Sequence, residues 1–324
     1  MIKNLKNFVR VGLGLALAAL GSAAAAAYPE QPIRVINPYP AGAAGDIVLR
    51  VLQQSLAEEL GQPVVAEYKT GAGGNIGGQA VVRAAPDGYT LLLGATNNFV
   101  INQFVYKDLG YDPAKDLTPI ARLAEVPAFI YVNSSLPVKD YAGLAKYAKE
   151  HPGTLNYGTP GAGTTPALSG WMLNKALKGD MMAIQYRGAA PAVQALAANE
   201  VQVYIGGYGI GATLLPTGKI KAVAVAAPKR LSLLPDVPTT KELGIPDVVV
   251  SNWWGLAAPA GTSPEIVAKL SQAVQKALSN PANREQLEKL GFIVPDETNE
   301  QFKASLPKEA EYWRRIVEEA GVKL

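Results

Sequence analysis

The feature that most constrains this chain is a unit it uses repeatedly: a short apolar run, a loop of small residues, then a helix pattern. Its first instance is residues 33–50, IRVINPYPAGAAGDIVLR. The strand IRVIN breaks on Pro38 and Pro40, small residues run from Ala41 to Gly45, and Asp46 opens the helical pattern DIVLRVLQQSLAEEL. PVVAEYK then feeds GAGGNIGG at the head of a helix, and YTLLLG closes on Ala95-Thr96-Asn97-Asn98. The middle of the chain repeats this grammar. LNYG enters Thr159-Pro160-Gly161-Ala162-Gly163-Thr164-Thr165, MAIQY turns at Arg187-Gly188, and VQVYI runs into Gly206-Gly207-Tyr208-Gly209. Such repetition predicts an α/β protein of βα units with mainly parallel sheets. Ligands of such sheets collect where loops leave the carboxyl ends of strands. Two sets of units imply two similar lobes facing each other.

The loops have the character of anion sites. Small residues let a ligand approach the backbone, and first-turn N–H groups are unsatisfied and carry the positive end of a helix dipole. The plainer reading is that Asp46 caps a helix and the glycines shape a βα turn. The last part of the chain differs: SNWWGLAAP is followed by the helix start Thr262-Ser263-Pro264-Glu265. Helices are expected over 265–279, 282–290 and 299–320, the last with a break at Pro307, completing an existing lobe rather than forming a third domain.

Charge and composition exclude several functions. The 324 residues carry 30 Lys and Arg against 27 Asp and Glu. Lys3, Lys6 and Arg10 lie in an acid-free leader, and without them bases and acids balance. Nothing suggests nucleic acid. That leader, with an apolar core at 11–20 and Ala25-Ala26-Ala27 as a cleavage site, reads as a secretory signal cut near Ala27. Its core is short of the roughly 20 residues that span a bilayer. A soluble periplasmic protein beginning at Tyr28 is expected. With no cysteine there is neither a disulfide nor a lipobox anchor. The single histidine, His151, sits in a Glu-His-Pro-Gly turn, so Ser–His and Cys–His nucleophiles and ordinary zinc sites find no support. No GxSxG, HExxH or P-loop pattern is present, and GAGGNIGG, which superficially resembles GxGxxG, belongs to the second βα unit. No catalytic residue, metal or cofactor is expected.

Taken in order, YPEQPIRVINPYPAGAAGD, GAGGNIGGQAVVRAAPDGYTLLLG, LNYGTPGAGTT, YRGAAPAVQAL, RLSLLPDVPTTKELGIPD and WWGLAAPAGTSPEIVAKL resemble the Bug-type periplasmic solute-binding proteins of tripartite tricarboxylate transporters. The resemblance covers essentially the whole mature chain. It implies a two-lobed, type II-like periplasmic binding protein fold, each lobe a βα sheet flanked by helices, with the ligand cleft between lobes. Residues 28–125 and 251–324 would make lobe one and 126–250 lobe two, with crossings near 122–127 and 251–256.

The implied function is capture of a small organic carboxylate and its delivery, by a monomeric protein, to membrane permease subunits. A ligand sensor for a signalling receptor and an exported enzyme acting on a carboxylic acid are the alternatives. Mapped onto this chain, the pocket would draw Tyr39, Ala41, Gly42 and Asp46 from the first loop, with Gly74, Thr96 and Asn97 beside them. Thr159, Gly161, Thr164 and Thr165 would face them from lobe two, with Arg187 and Tyr208 nearby. Each has a plainer role too: Thr164 and Thr165 as a helix cap, Arg187 as a surface ion-pair partner, Tyr39 as packing under the loop, Asp46 as a cap. Many relatives carry an acid where this chain has Gly206-Gly207-Tyr208-Gly209, and relatives tend to have a histidine near Ala167, on the helix-side wall of the pocket. The missing acid argues against aspartate or glutamate as the ligand, and the Tyr-and-glycine lining favours a larger or flatter acid, such as an aromatic dicarboxylate.

Overall fold

The computed structural model describes residues 28–246, 248 and 250–324; the expected leader, 1–27, lies outside the described residues. The chain opens with β1 (Ile33–Asn37), α1 (Ala44–Leu60), β2 (Val64–Tyr68), α2 (Asn75–Val82), β3 (Thr90–Ala95) and β4 (Leu117–Val126). It then lays down β5 (Ala128–Asn133), α3 (Tyr141–Glu150), β6 (Asn156–Thr159), α4 (Thr165–Leu177), β7 (Met182–Gln185), α5 (Ala189–Ala197), β8 (Val203–Gly206) and β9 (Ile220–Ala226). It closes with β10 (Asn252–Pro259), α6 (Pro264–Ser279), α7 (Pro281–Lys289) and α8 (Asn299–Ala320). Two five-stranded sheets result, in the orders β2-β1-β3-β10-β4 and β7-β6-β8-β5-β9.

Each sheet is buried on both faces, which is why its central strands read as unbroken apolar runs rather than alternating ones. Successive side chains point to opposite faces. On β10, Trp254, Leu256 and Ala258 therefore join the core under α1 and α6, while Trp253 and Ala257 join the core under α8. On β5, Ala128, Ile130 and Val132 face one core, and Phe129 and Tyr131 the other. α1 presents Val48, Leu49, Leu52, Leu56 and Leu60 as one stripe and ends on left-handed Gly61.

The sheets depart from the mainly parallel expectation: both are mixed. β10 runs antiparallel to β3 and β4, and β5 antiparallel to β8 and β9. These are the first strands laid down after each passage between sheets, so no crossover helix fixes their direction. β4 escaped sequence reading because Thr118, Pro119, Arg122 and Glu125 interrupt its apolar pattern. The break expected at Pro307 is absent; α8 runs through that residue. Proline deletes one helical N–H bond there. The buried Phe302, Trp313 and Val317 and a capping box between Thr298 and Gln301 hold the helix on either side.

Where β4, β10 and α8 meet, Arg122 is only 9% exposed and lies over the rings of Trp253 and Phe302, at 4.6 and 5.4 Å. It pairs with Glu309 at 2.5 Å and Glu125 at 3.7 Å. Its Nε lies 2.7 Å from Glu297 Oε1. Three carboxylates share one cation. Burial, together with the neighbouring carboxylates and against the pull of Arg122, raises the Glu125 and Glu297 carboxyls above their ordinary range. A raised folded-state value means that ionisation works against the fold, and that proton uptake through that range favours it. Glu125→Gln is therefore expected to melt above the parent at pH 8. The two curves should converge below about pH 3, where the glutamate is neutral in both states; a lower melting point for the variant at pH 8 would count against this account.

Candidate ligand-binding site

The first loop is held open from beneath. Gly42 takes φ +81°, a left-handed conformation that costs glycine nothing, and its N–H donates to Asp46 Oδ2 at 2.8 Å. Asp46 is 1% exposed and also accepts from Arg50 Nε at 2.9 Å and the Tyr68 hydroxyl at 2.5 Å. Burial acts to raise its carboxyl, but the bonds from Tyr68, Gly42 and Arg50 outweigh it and hold the value below the ordinary range. The carboxylate is thus spent on the loop. Ala43, at the N-cap of α1, offers no side-chain acceptor. The first-turn N–H groups of α1 remain available, backed by the helix dipole.

The facing lobe supplies two more helix starts. Thr164 caps α4, accepting from Ala167 N at 3.4 Å and donating to Gly161 O at 2.7 Å. α5 begins at Gly188, which has no side chain to cap it, directly after Arg187. A cavity of about 640 Å³ separates the loops, lined by Tyr39 to Ala43 on one side and by Pro160 to Thr164 and Arg187 to Pro191 on the other. That volume suits a small-molecule site. Its floor is Asn252 and Trp254 of β10, and Tyr39 meets Trp254 edge-on at 5.0 Å and 77°. Among the described residues, Arg187 is the only charged side chain in the lining. Three helix N-termini and one guanidinium, with no acidic side chain among them, make a field that favours anions.

The lobes also touch directly. Asn97 Nδ2 donates to Gly163 O at 2.8 Å, and its Oδ1 accepts from Thr165 Oγ1 at 3.2 Å. Lys175 on α4 pairs with Glu319 on α8 at 2.5 Å.

Comparison with known proteins agrees with this geometry. A family described as "Tripartite tricarboxylate transporter family receptor" matches residues 48–322. This chain belongs to that family. The structure of periplasmic binding protein BugD is similar at 35% identity and TM-score 0.80, covering 92% of this chain and 100% of that one. An R. palustris protein solved with adipate is 31% identical with TM-score 0.83, over 92% of this chain and 100% of that one. MatC from Rhodopseudomonas palustris, solved with bound malate, is 35% identical with TM-score 0.78, over 90% of this chain and 100% of that one. The receptor is thus a two-lobed solute-binding protein of the tripartite tricarboxylate transporter type, in a family with periplasmic members.

In this receptor, seven of the residues singled out from sequence line the cavity: Tyr39, Ala41, Gly42, Asn97, Gly161, Thr164 and Arg187. The others stand behind it. Asp46 shapes the first loop, as above. The Gly74 carbonyl accepts from Asn98 Nδ2 at 3.1 Å, and a Cβ there would meet that amide at 2.7 Å. Thr96 Oγ1 accepts from Trp253 N at 2.9 Å, tying β3 to the strand that returns from the second sheet. Thr159 Oγ1 bonds within its own loop, to Gly161, and Thr165 reaches Asn97 across the cleft. Tyr208 packs 6.3 Å from the Phe129 ring and against Gly291, outside the lining. The aromatic walls come instead from Tyr39, Tyr106 and Trp254.

Sequence reasoning missed Trp254, Asn252, Asn102 and the start of α5. Asn102 lines the cavity and donates to Gly73 O at 3.1 Å and Asn75 Oδ1 at 2.5 Å. The signal for it was the run of asparagines in NNFVIN, which lies one helical turn past the β3 loop.

Proposed function

We propose that this receptor closes residues 28–125 with 251–324, as one lobe, against residues 126–250, as the other, on a small organic carboxylate. It then presents the loaded form to the membrane permease subunits of its transporter. The observation that carries this reading is the convergence of three helix N-termini and Arg187 on one cavity free of acidic side chains. Oriented N–H groups and hydroxyls hold a carboxylate without opposing it with many buried charges. Relatives solved with adipate and malate support the same ligand class. Tyr39, Ala41, Gly42, Asn97, Gly161, Thr164 and Arg187 are the residues proposed to meet the ligand, and Asp46, Gly74, Thr96, Thr159 and Thr165 to hold them in place. Binding without chemistry is part of the same reading, supported by membership of a receptor family and by likeness to a periplasmic binding protein. It acts as a monomer in the periplasm, after cleavage near Ala27.

Thermal melting of the chain from Tyr28 onward, against C4–C8 dicarboxylates, citrate, aromatic acids and acidic amino acids, tests this. A ligand at about 100 times its Kd adds roughly 2.7 kcal/mol, which a melting curve resolves. A selective upward shift with one class of acid is the expected result. No shift with any acid would overturn the carboxylate reading.

A further inference from the structure

One part of the cavity wall comes from the segment that follows α8. The helix ends on left-handed Gly321, and Val322 packs against the core that α8 covers. Leu324 then reaches the cavity, where it is 55% exposed and joins the lining. Two backbone bonds hold it there: Leu324 N–H donates to Val105 O at 2.7 Å, and Lys107 N–H donates to Leu324 O at 3.0 Å. Together they bracket Tyr106, the pattern of two parallel strands in which the paired side chains share a face. Tyr106 lines the same cavity.

This pair is well fixed. A Cβ built on Gly73 would stand 2.6 Å from the Tyr106 hydroxyl, so that ring is seated against the loop before α2. Val105, which accepts from Leu324, is also where the lobes meet: a Cβ on Gly163 of the second lobe would stand 2.6 Å from Val105 Cγ1. The groups that favour an anion sit elsewhere in the lining, on the loops that open α1, α4 and α5 and on Arg187. Tyr106 and Leu324 add carbon surface, an aromatic ring beside a branched chain. A leucine left half open at a cavity gains when an apolar part of a solute covers it, because that surface then leaves water.

We propose that Leu324 is a specificity-determining residue of this receptor: with Tyr106 it forms an apolar wall on which the carbon skeleton of the bound acid lies. The segment after α8 is then part of the solute site, and the length of skeleton that reaches Leu324 sets the preference among acids. This rests on the carboxylate reading of the cavity and adds which residue reads what the carboxylate is attached to.

The test is isothermal titration of the chain from Tyr28 onward, with nothing added after Leu324, against two series of rising size: succinate, adipate and suberate, then benzoate and 2-naphthoate. Leu324→Ala is expected to weaken the largest acid the parent binds by about four- to fifteenfold, the worth of one or two methylene groups. The smallest should change less than about twofold, since its skeleton makes little of that contact. Leu324→Met, which returns apolar bulk, should restore the parent's profile. Melting curves of the unliganded variants should match the parent, because the side chain is exposed and its anchoring bonds are backbone. An alanine variant with the parent's affinity for every acid would remove Leu324 from the site. Weakening of all acids by one factor would also overturn the proposal, because Leu324 would then act through the contact of Val105 with Gly163 and not on the solute. Tighter binding of the largest acid by the alanine variant would overturn it too, since the leucine would be an obstruction. In all three cases the carboxylate reading stands. If the parent binds no acid of either series, that reading fails, and this inference with it.

Discussion

A Gly45→Val receptor is expected to melt well below the parent and to lose its grip on acids. Gly45 has ordinary helical surroundings in α1, where a side chain would normally favour the helix by up to about 1 kcal/mol. The space decides otherwise. A Cβ built there stands 2.2, 2.3 and 2.7 Å from three ring carbons of Trp254. Those atoms are not the far end of a flexible chain, because the indole is pinned between α1, Tyr39 and the core that α6 covers. Either α1 lifts from the sheet or the indole leaves its place. Overpacking of this kind costs about 3 kcal/mol, which in a protein of this size lowers Tm by roughly 6–10 °C. The first escape displaces the N-terminus that faces the ligand, and the second removes the cavity floor. Calorimetry of the variant, with and without ligand, checks both, and an unchanged Tm would show that α1 is not seated on Trp254.

Arg187→Gln is expected to weaken the bound acid by about ten- to a hundredfold, the worth of one hydrogen bond to a charged group. Among the described residues no other charged side chain lines the cavity, so none there takes over its role. Arg187 is exposed, which adds a second signature. An exposed charge is screened by salt. Parent affinity should therefore fall between low and moderate ionic strength, while that of the variant stays nearly flat. Titration at two salt concentrations reads both effects together. Equal affinities for parent and variant at low salt would remove Arg187 from the binding account.

Much of this arrangement was legible in the residues. β1, β3 and β5 announce themselves because strands buried on both faces must be apolar throughout, and the loops after β1 and β6 because they are built of glycine, alanine and threonine. Both loops do line the cavity. What could not be read is which of their side chains look inward. Asp46 and Thr96 are polar, adjacent to the loops, and fully engaged with backbone and neighbours. Nothing in one dimension separates a carboxylate spent on its own loop from one offered to a ligand. Tyr208 follows a strand just as Arg187 does, yet it packs against Phe129 and Gly291 because its loop leaves β8 in the middle of the second sheet. Trp254 was invisible for the opposite reason. It looks like ordinary core, and only the three-dimensional pairing of β10 with β3 and β4 places it beneath the cleft.

The position of β10 also bears on the order in which the molecule can be assembled. Its two neighbours, β3 and β4, end at Ala95 and Val126, and β10 begins only at Asn252. All five strands of the second sheet lie between, from Ala128 to Ala226. A chain delivered N-terminus first can therefore finish its second sheet while the first lacks its fourth strand, leaving β3 with an unpaired edge and β4 with no strand partner. Adding that strand joins segments more than a hundred residues apart, the kind of non-local pairing that slows folding and leaves strand edges open to other chains. The last strand to arrive carries Asn252 and Trp254, so the binding floor and the completed sheet come into being in one event. A receptor truncated before β10, or caught before it docks, has two loops and no pocket.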